Sequence, residues 1–148
     1  MSLRETKMYK ISARGQYALL VMEDLADSSA EKFVPLKLLS HRRNLSVKYL
    51  EQILIQLGKA GLVIGSRGNN GGYKLSKPAE SYTVGEILRS IEGNLSPQTP
   101  LENNTVISEG SRTFWQGFET TVNSYVDSVS LRELANKNTE YVGFDYCI

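Results

Sequence analysis

The sequence is poor in the residues that hold metals and cross-links. Its 148 residues include one cysteine, Cys147, and one histidine, His41. A lone thiol cannot form an intrachain disulfide and fits a reducing compartment. No apolar run approaches the roughly 18 residues of a membrane span. The N-terminus also lacks the apolar core and small-residue cleavage site of a secretory signal. A cytoplasmic protein with no membrane contact is therefore expected. Metal-ligand spacing, a nucleophile set beside a base, and a phosphate loop ending in Lys-Ser/Thr are all missing, so an enzyme is not expected.

What is present is an ordinary soluble composition, 41% hydrophobic and 22% charged, sufficient to bury a core. The net charge of +1 conceals a split. Residues 1–92 carry 14 Lys and Arg against 9 Asp and Glu, and residues 93–148 carry 3 against 7. Such a split fits a polyanion-binding N-terminal part as well as it fits chance, and it gains meaning only beside a motif.

Ser12 is a plausible cap for a first helix in which Ala18, Val21, Met22 and Leu25 recur at helical spacing, fading near Ser28. A proline, Pro35, opens a short second helix that reaches Arg43. Asn44 and Leu45 lead to Ser46, which caps a third helix, VKYLEQILIQLGKA, ended by Gly61. Two helices joined by a tight turn form a helix-turn-helix pattern. Beyond Gly61 the period changes. Leu62-Val63-Ile64 can pair with Gly72-Tyr73-Lys74-Leu75 across Gly68-Asn69-Asn70-Gly71, residues that tolerate the positive φ of a hairpin turn. Thr83-Val84-Gly85-Glu86 is a capping box for a fourth helix with Ile87, Leu88 and Ile91 as its stripe and Gly93 as its stop. Residues 93–110, with two prolines, read as a linker. A long amphipathic helix should run from Ser111 to about Asp127, and Ser130-Leu131-Arg132-Glu133 opens a short last helix by a second capping box.

The fold expected is thus mainly α with a small β-hairpin: a winged helix-turn-helix domain plus a long C-terminal dimerisation helix. The divisions are 9–92 for the winged domain, 93–110 for the linker, 111–136 for the long helix and its short follower, and 137–148 for an aromatic tail.

At about 100° per residue, Lys48, Glu51, Gln52, Ile55 and Lys59 share one arc of the third helix, with Leu50, Ile53, Leu54 and Leu57 opposite. A recognition helix needs one such polar face, and Lys, Glu and Gln each have a base edge that they can bond. An ordinary surface helix has the same periodicity, so the preceding turn and following hairpin carry the inference. Lys48, Glu51 and Gln52 are the expected base readers. Arg67, Asn69 and Asn70 on the hairpin are expected at the minor groove and its phosphates. Ser12, Arg14, Gln16, Ser46 and Tyr49, at or near helix N-termini, are expected phosphate contacts. Phe114, Trp115, Phe118, Val122, Tyr125 and Val126 give the long helix more apolar surface than one partner face requires, which suggests a two-fold dimer interface. Expected partners are therefore double-stranded DNA and a second copy of the chain. The alternative is a winged domain that binds protein without specific DNA binding.

The order SARGQYAL, LSVKYLEQIL, GLVIGSRGNNGGYKL and TVGEILRSIEG resembles the Rrf-two family of winged-helix transcription regulators, over about residues 9–136. The resemblance implies the same roles for Lys48, Glu51, Gln52 and Arg67, and a long helix that crosses between subunits of a homodimer, most often a repressor. Many members hold an iron–sulfur cluster through three cysteines before that helix. Here the stretch is GNLSPQTPLENNTVISEGSR, without cysteine, whereas cluster sites need about four ligands, mostly thiolates. No cluster, no metal and no other cofactor is expected. The shortened stretch and the aromatic tail are most similar to the cluster-less branch that governs cysteine metabolism, which implies a protein of cysteine biosynthesis as a candidate regulatory partner. Cys147 has two readings, a redox-sensing thiol and a thiol without a role, and the neighbouring Asp145 and terminal carboxylate, a poor setting for a reactive thiolate, favour the second.

Overall fold

The computed structural model describes residues 11–28 and 31–146, the stretch 139–146 as helix backbone alone. Cys147 and the side chains of the aromatic tail therefore lie outside the described residues.

Helix α1 (Ala13–Asp27) starts at Ser12, whose hydroxyl oxygen accepts from Gly15 N. Its stripe Ala18, Val21, Met22 and Leu25 is buried. Helix α2 (Leu36–Arg43) ends at Asn44, the one non-glycine residue with positive φ among those described. Asn tolerates that left-handed geometry because its short side chain can bond locally. Two residues later Ser46 caps α3 (Val47–Lys59) by accepting from Tyr49 N at 3.1 Å. Leu50, Ile53, Leu54 and Leu57 are completely buried against α1 and Leu39 of α2. Cutting any one back to Ala would cost about 2–5 kcal/mol.

Strands β1 (Val63–Ser66) and β2 (Gly72–Leu75) pair antiparallel, Val63 opposite Leu75 and Ser66 opposite Gly72. Val34 adds a further bridge to Tyr73, with both backbone hydrogen bonds made. This brings the Val34 backbone so close to β2 that a methyl group on Gly72 (φ +141°) would overlap the Val34 carbonyl oxygen. The hairpin is thereby fixed to the segment that starts the helix-turn-helix. After β2, the buried Tyr82 donates its hydroxyl to Leu62 O at 2.6 Å and accepts from Ser76 N and Lys77 N. One phenol thus ties the chain leaving the hairpin to the chain entering it.

Helix α4 (Val84–Glu92) starts at Thr83, which accepts from Glu86 N. The Glu86 carboxylate does not reach back to complete the box; it pairs with Lys77 at 3.1 Å. The linker ends at Ser108, the cap of α5 (Glu109–Ser128), so the long helix starts two residues earlier than expected. None of its residues is fully buried. Helix α6 (Leu131–Tyr146) opens with the expected reciprocal box, Glu133 N to Ser130 Oγ at 3.1 Å and Ser130 N to Glu133 Oε1 at 3.3 Å. It was expected to be short. Instead it has 16 residues and takes in most of the stretch read as a tail. Leu131 and Ala135 of this helix are buried in the core, and Asn138 donates to Glu23 on α1 at 2.8 Å.

Candidate nucleic-acid interface

The burial of the Leu50–Leu57 seam leaves the other side of α3 in solvent. Lys48, Glu51 and Gln52 are all exposed, with Ile55 47% exposed among them. Neither Lys48 nor Arg67 is paired with a carboxylate among the described residues. Their charges remain available to a polyanion. Arg67, Asn69 and Asn70 are exposed on the turn of the hairpin, where Gly71 N bonds back to Gly68 O.

The N-terminus of α1 lies alongside α3. Arg14 Nη2 donates to Gln52 O at 3.3 Å, and the rings of Tyr17 and Tyr49 meet edge to face at 5.8 Å. Arg14 Nε is buried without a hydrogen-bond partner, so the guanidinium rests on the α3 backbone with part of its donor set turned inward. As an expected phosphate contact it is limited to the donors left on its Nη atoms. Gln16 and Ser46 are exposed, and Tyr49 is half-buried.

Ser12 differs from its expectation. Its hydroxyl donates to Glu92 Oε2 at 2.8 Å, and its backbone N–H reaches the same oxygen at 2.7 Å. The last residue of α4 places a carboxylate where a phosphate was expected. Free N–H groups at a helix start attract any anion, and here the chain supplies its own. Ser12 is therefore removed from the set of phosphate contacts.

Several positioning contacts had not been read from the sequence. Asp24, with its side chain 2% exposed, holds Arg43 by two bonds of 2.8 and 2.6 Å and so fastens α1 to the end of α2. The hydrogen bond to Asp24 raises the Arg43 pKa above the ordinary guanidinium value, against the opposing effect of burial. A signal was present: Asp24 interrupts the stripe Val21, Met22, Leu25, and a buried carboxylate requires a partner. Gln56 reaches from α3 to Ser90 O at 3.3 Å, which joins the reading helix to α4.

On α5, Phe114 (61%), Phe118 (40%) and Tyr125 (69%) are exposed, and Phe114, Trp115 and Phe118 pack on one another with centroids 4.9 to 6.2 Å apart. Val122 is half-buried. Val126 does not belong with them. It packs against Val84 and Leu88 of its own winged domain and Leu95 of the linker, because it falls at the edge of the aromatic arc. The linker folds over Trp115 and Phe118 and leaves a cleft of about 550 Å³ also lined by Pro97, Leu101 and Ile107. No helix among the described residues is long and apolar enough to cross a membrane.

A capped helix after a tight turn, bare on its polar side and flanked by a hairpin, defines a winged helix-turn-helix, and the relatives that share it are transcription regulators. The chain belongs to the Rrf2 family, whose description is iron-dependent transcriptional regulator and whose pattern matches residues 11–137. It is similar to the HTH-type transcriptional regulator CymR of Bacillus subtilis, with 38% identity over 127 residues, 86% of this chain and 90% of that protein. The solved structure of that protein, described as the global cysteine regulator, superposes with a TM-score of 0.78 over 86% of this chain and 97% of that one. The HTH-type transcriptional regulator IscR of Vibrio campbellii is 32% identical over 133 residues, 87% of this chain and 79% of that protein.

The iron in the family's description can be tested against the donors present. Residues 93–108, between α4 and α5, offer the single carboxylate of Glu102 and no cysteine or histidine. Among the described residues no group of three or more His, Cys, Asp or Glu is placed to hold a metal ion. These donors do not fit an iron–sulfur cluster, which takes predominantly thiolates.

Proposed function

We propose that the chain acts as a homodimer that reads a specific DNA sequence and represses transcription from it. The observation that carries this reading is the two-sided character of α3: four apolar residues fully buried behind, and Lys48, Glu51 and Gln52 exposed together in front. With α3 in the major groove, its first turns face the base edges. Gln52 bonds adenine through two hydrogen bonds, Lys48 donates to guanine, and Glu51 accepts from a cytosine amino group. Arg67 enters the adjacent minor groove, with Asn69 and Asn70 bonding edges or phosphates. Gln16, Ser46, Tyr49 and the free Nη donors of Arg14 hold the backbone.

The dimer forms through Phe114, Trp115, Phe118, Val122 and Tyr125, leaving Val126 to its own domain. Two recognition helices then meet half-sites about one turn of DNA apart. Regulation acts on the relative placement of the two winged domains, through the linker or α5. An effector shifts that placement only if it binds one arrangement better than the other. Similarity to a global cysteine regulator favours a protein of cysteine biosynthesis as that effector.

The test is an anisotropy titration on palindromic fragments of the native genome at two salt concentrations. Sequence-selective, salt-sensitive binding supports the proposal. Salt-sensitive binding with no sequence preference, or function unaffected by Lys48→Ala and Arg67→Ala, supports a protein-binding winged domain instead.

A further inference from the structure

Helix α5 is fastened to the winged domain at one end. At its C-terminal end Arg89 of α4 grips Asp127 by two bonds, 2.7 and 3.0 Å, and reaches Asn123 Oδ1 at 2.8 Å. Asn123 in turn donates to Leu95 O at 3.0 Å. Backbone bonds on either side complete the joint, Val84 N to Val129 O at 2.9 Å and Leu131 N to Tyr82 O at 3.0 Å. The Asp127 carboxylate and the Arg89 guanidinium lie over Gly85, where an added methyl would overlap both, so the bare Cα leaves room for the grip. The far half of α5 carries the exposed Phe114 and Trp115.

The same α4 continues to the reading head. Ser90 O accepts from Gln56 of α3, and Glu92 holds Ser12 of α1, which itself adjoins α3 through Arg14. A path of direct bonds therefore runs from α5 through α4 to the recognition helix. A 20-residue helix is about 30 Å long, so a tilt of roughly 10° at its root moves the far end by about 5 Å, more than the roughly 3.4 Å rise of a base pair. A single exposed ion pair contributes little to stability, but a two-bond guanidinium–carboxylate grip resists rotation.

Building on the homodimeric DNA-reading proposal above, we infer that Arg89 and Asp127 are positioning residues that set the separation of the two recognition helices and hence the half-site spacing the dimer accepts. They do so without touching DNA or the dimer partner. The pair governs spacing and leaves half-site recognition to α3.

The experiment is selection by the full chain from a library of random duplexes, followed by sequencing of the enriched pool. It is run for the native chain, Asp127→Asn and Arg89→Gln. Asp127→Asn keeps side-chain size, Arg89→Gln shortens the side chain by two heavy atoms, and the two side chains are 47% and 30% exposed, so each should fold. The native pool is expected to contain an inverted repeat at one spacing, enriched about tenfold or more over spacings one base pair longer or shorter, since each added pair turns a half-site by about 34°. Both variant pools should keep the same half-site, with that ratio reduced to about threefold or less. Variant pools that keep the native spacing preference overturn the inference, as do pools that lose the half-site together with the spacing. A native pool without any enriched half-site overturns the DNA-reading proposal itself, a different result from failure of the joint.

Discussion

Gln52→Ala separates reading from folding at one position. The side chain is exposed on α3, and the bond from Arg14 to this residue goes to its backbone carbonyl, which alanine retains. Alanine is at least as good a helix former as glutamine, and exposed substitutions of this kind stay within about 0.5 kcal/mol. For a chain of 148 residues that amounts to a shift in Tm of about 2 °C or less. A two-bond contact to adenine contributes about 1–3 kcal/mol of discrimination, and a homodimer makes it twice. Loss of about 2 kcal/mol, the lower bound, weakens binding to the selected operator about 30-fold. Binding to a scrambled duplex of equal length should change by less than about threefold, because phosphate contacts carry it. Fluorescence anisotropy on both duplexes at one salt concentration, with a thermal melt of the variant, measures all three quantities. An equal loss on both duplexes would refute the base-reading role, and a fall in Tm of 5 °C or more would show that Gln52 supports the fold instead.

Four further outcomes are expected. If Arg14, Lys48 and Arg67 of both subunits each displace one counterion, log affinity falls with log salt at a slope near −5.4, about 1,800-fold for a fourfold rise in salt, and Arg67→Ala reduces the slope to about −3.6. Tyr82→Phe removes the hydroxyl that serves Leu62 O, Ser76 N and Lys77 N, so urea unfolding should show a loss of about 1–3 kcal/mol with an unchanged m-value. Arg43→Ala leaves the Asp24 carboxylate buried with only the more distant Arg42, at 3.6 Å, and should destabilise by about 2–4 kcal/mol in the same assay; Arg43→Ala combined with Asp24→Ala should recover part of that loss. The hydrogen bond from Arg89 holds the Asp127 carboxyl below the ordinary value. The unfolded chain therefore binds more protons in that range, and the contribution of the pair is present above about pH 3.9 and lost as pH falls through the lower folded value. Carboxyl carbon NMR should show this low midpoint in the native chain and its return toward the ordinary range in Arg89→Gln.

Local signals carried most of the fold into view. Capping at Ser46, Thr83 and Ser130 depends on a few adjacent residues, and each of these caps is made in the structure. The α3 seam was equally legible because helical periodicity alone places Leu50, Ile53, Leu54 and Leu57 on one side. What stayed hidden depends on residues far apart in the chain. Glu92 meets Ser12 across 80 positions and Asp127 meets Arg89 across 38, and no spacing rule couples them. The length of α6 is hidden for a related reason: Asn138 meets Glu23 of α1 across 115 positions, a contact that no local pattern announces. The packing of Val126 on its own chain was equally hidden, because an arc on a helix does not say which edge turns inward.

The most direct measurement is a structure of the full chain bound to a duplex that it selects for itself. The account predicts two subunits joined through α5, with Lys48, Glu51 and Gln52 of each within about 3.2 Å of base edges in successive major grooves. Density that shows α3 turned away from the duplex, or its polar face covered by the second subunit while DNA is held elsewhere, would contradict it.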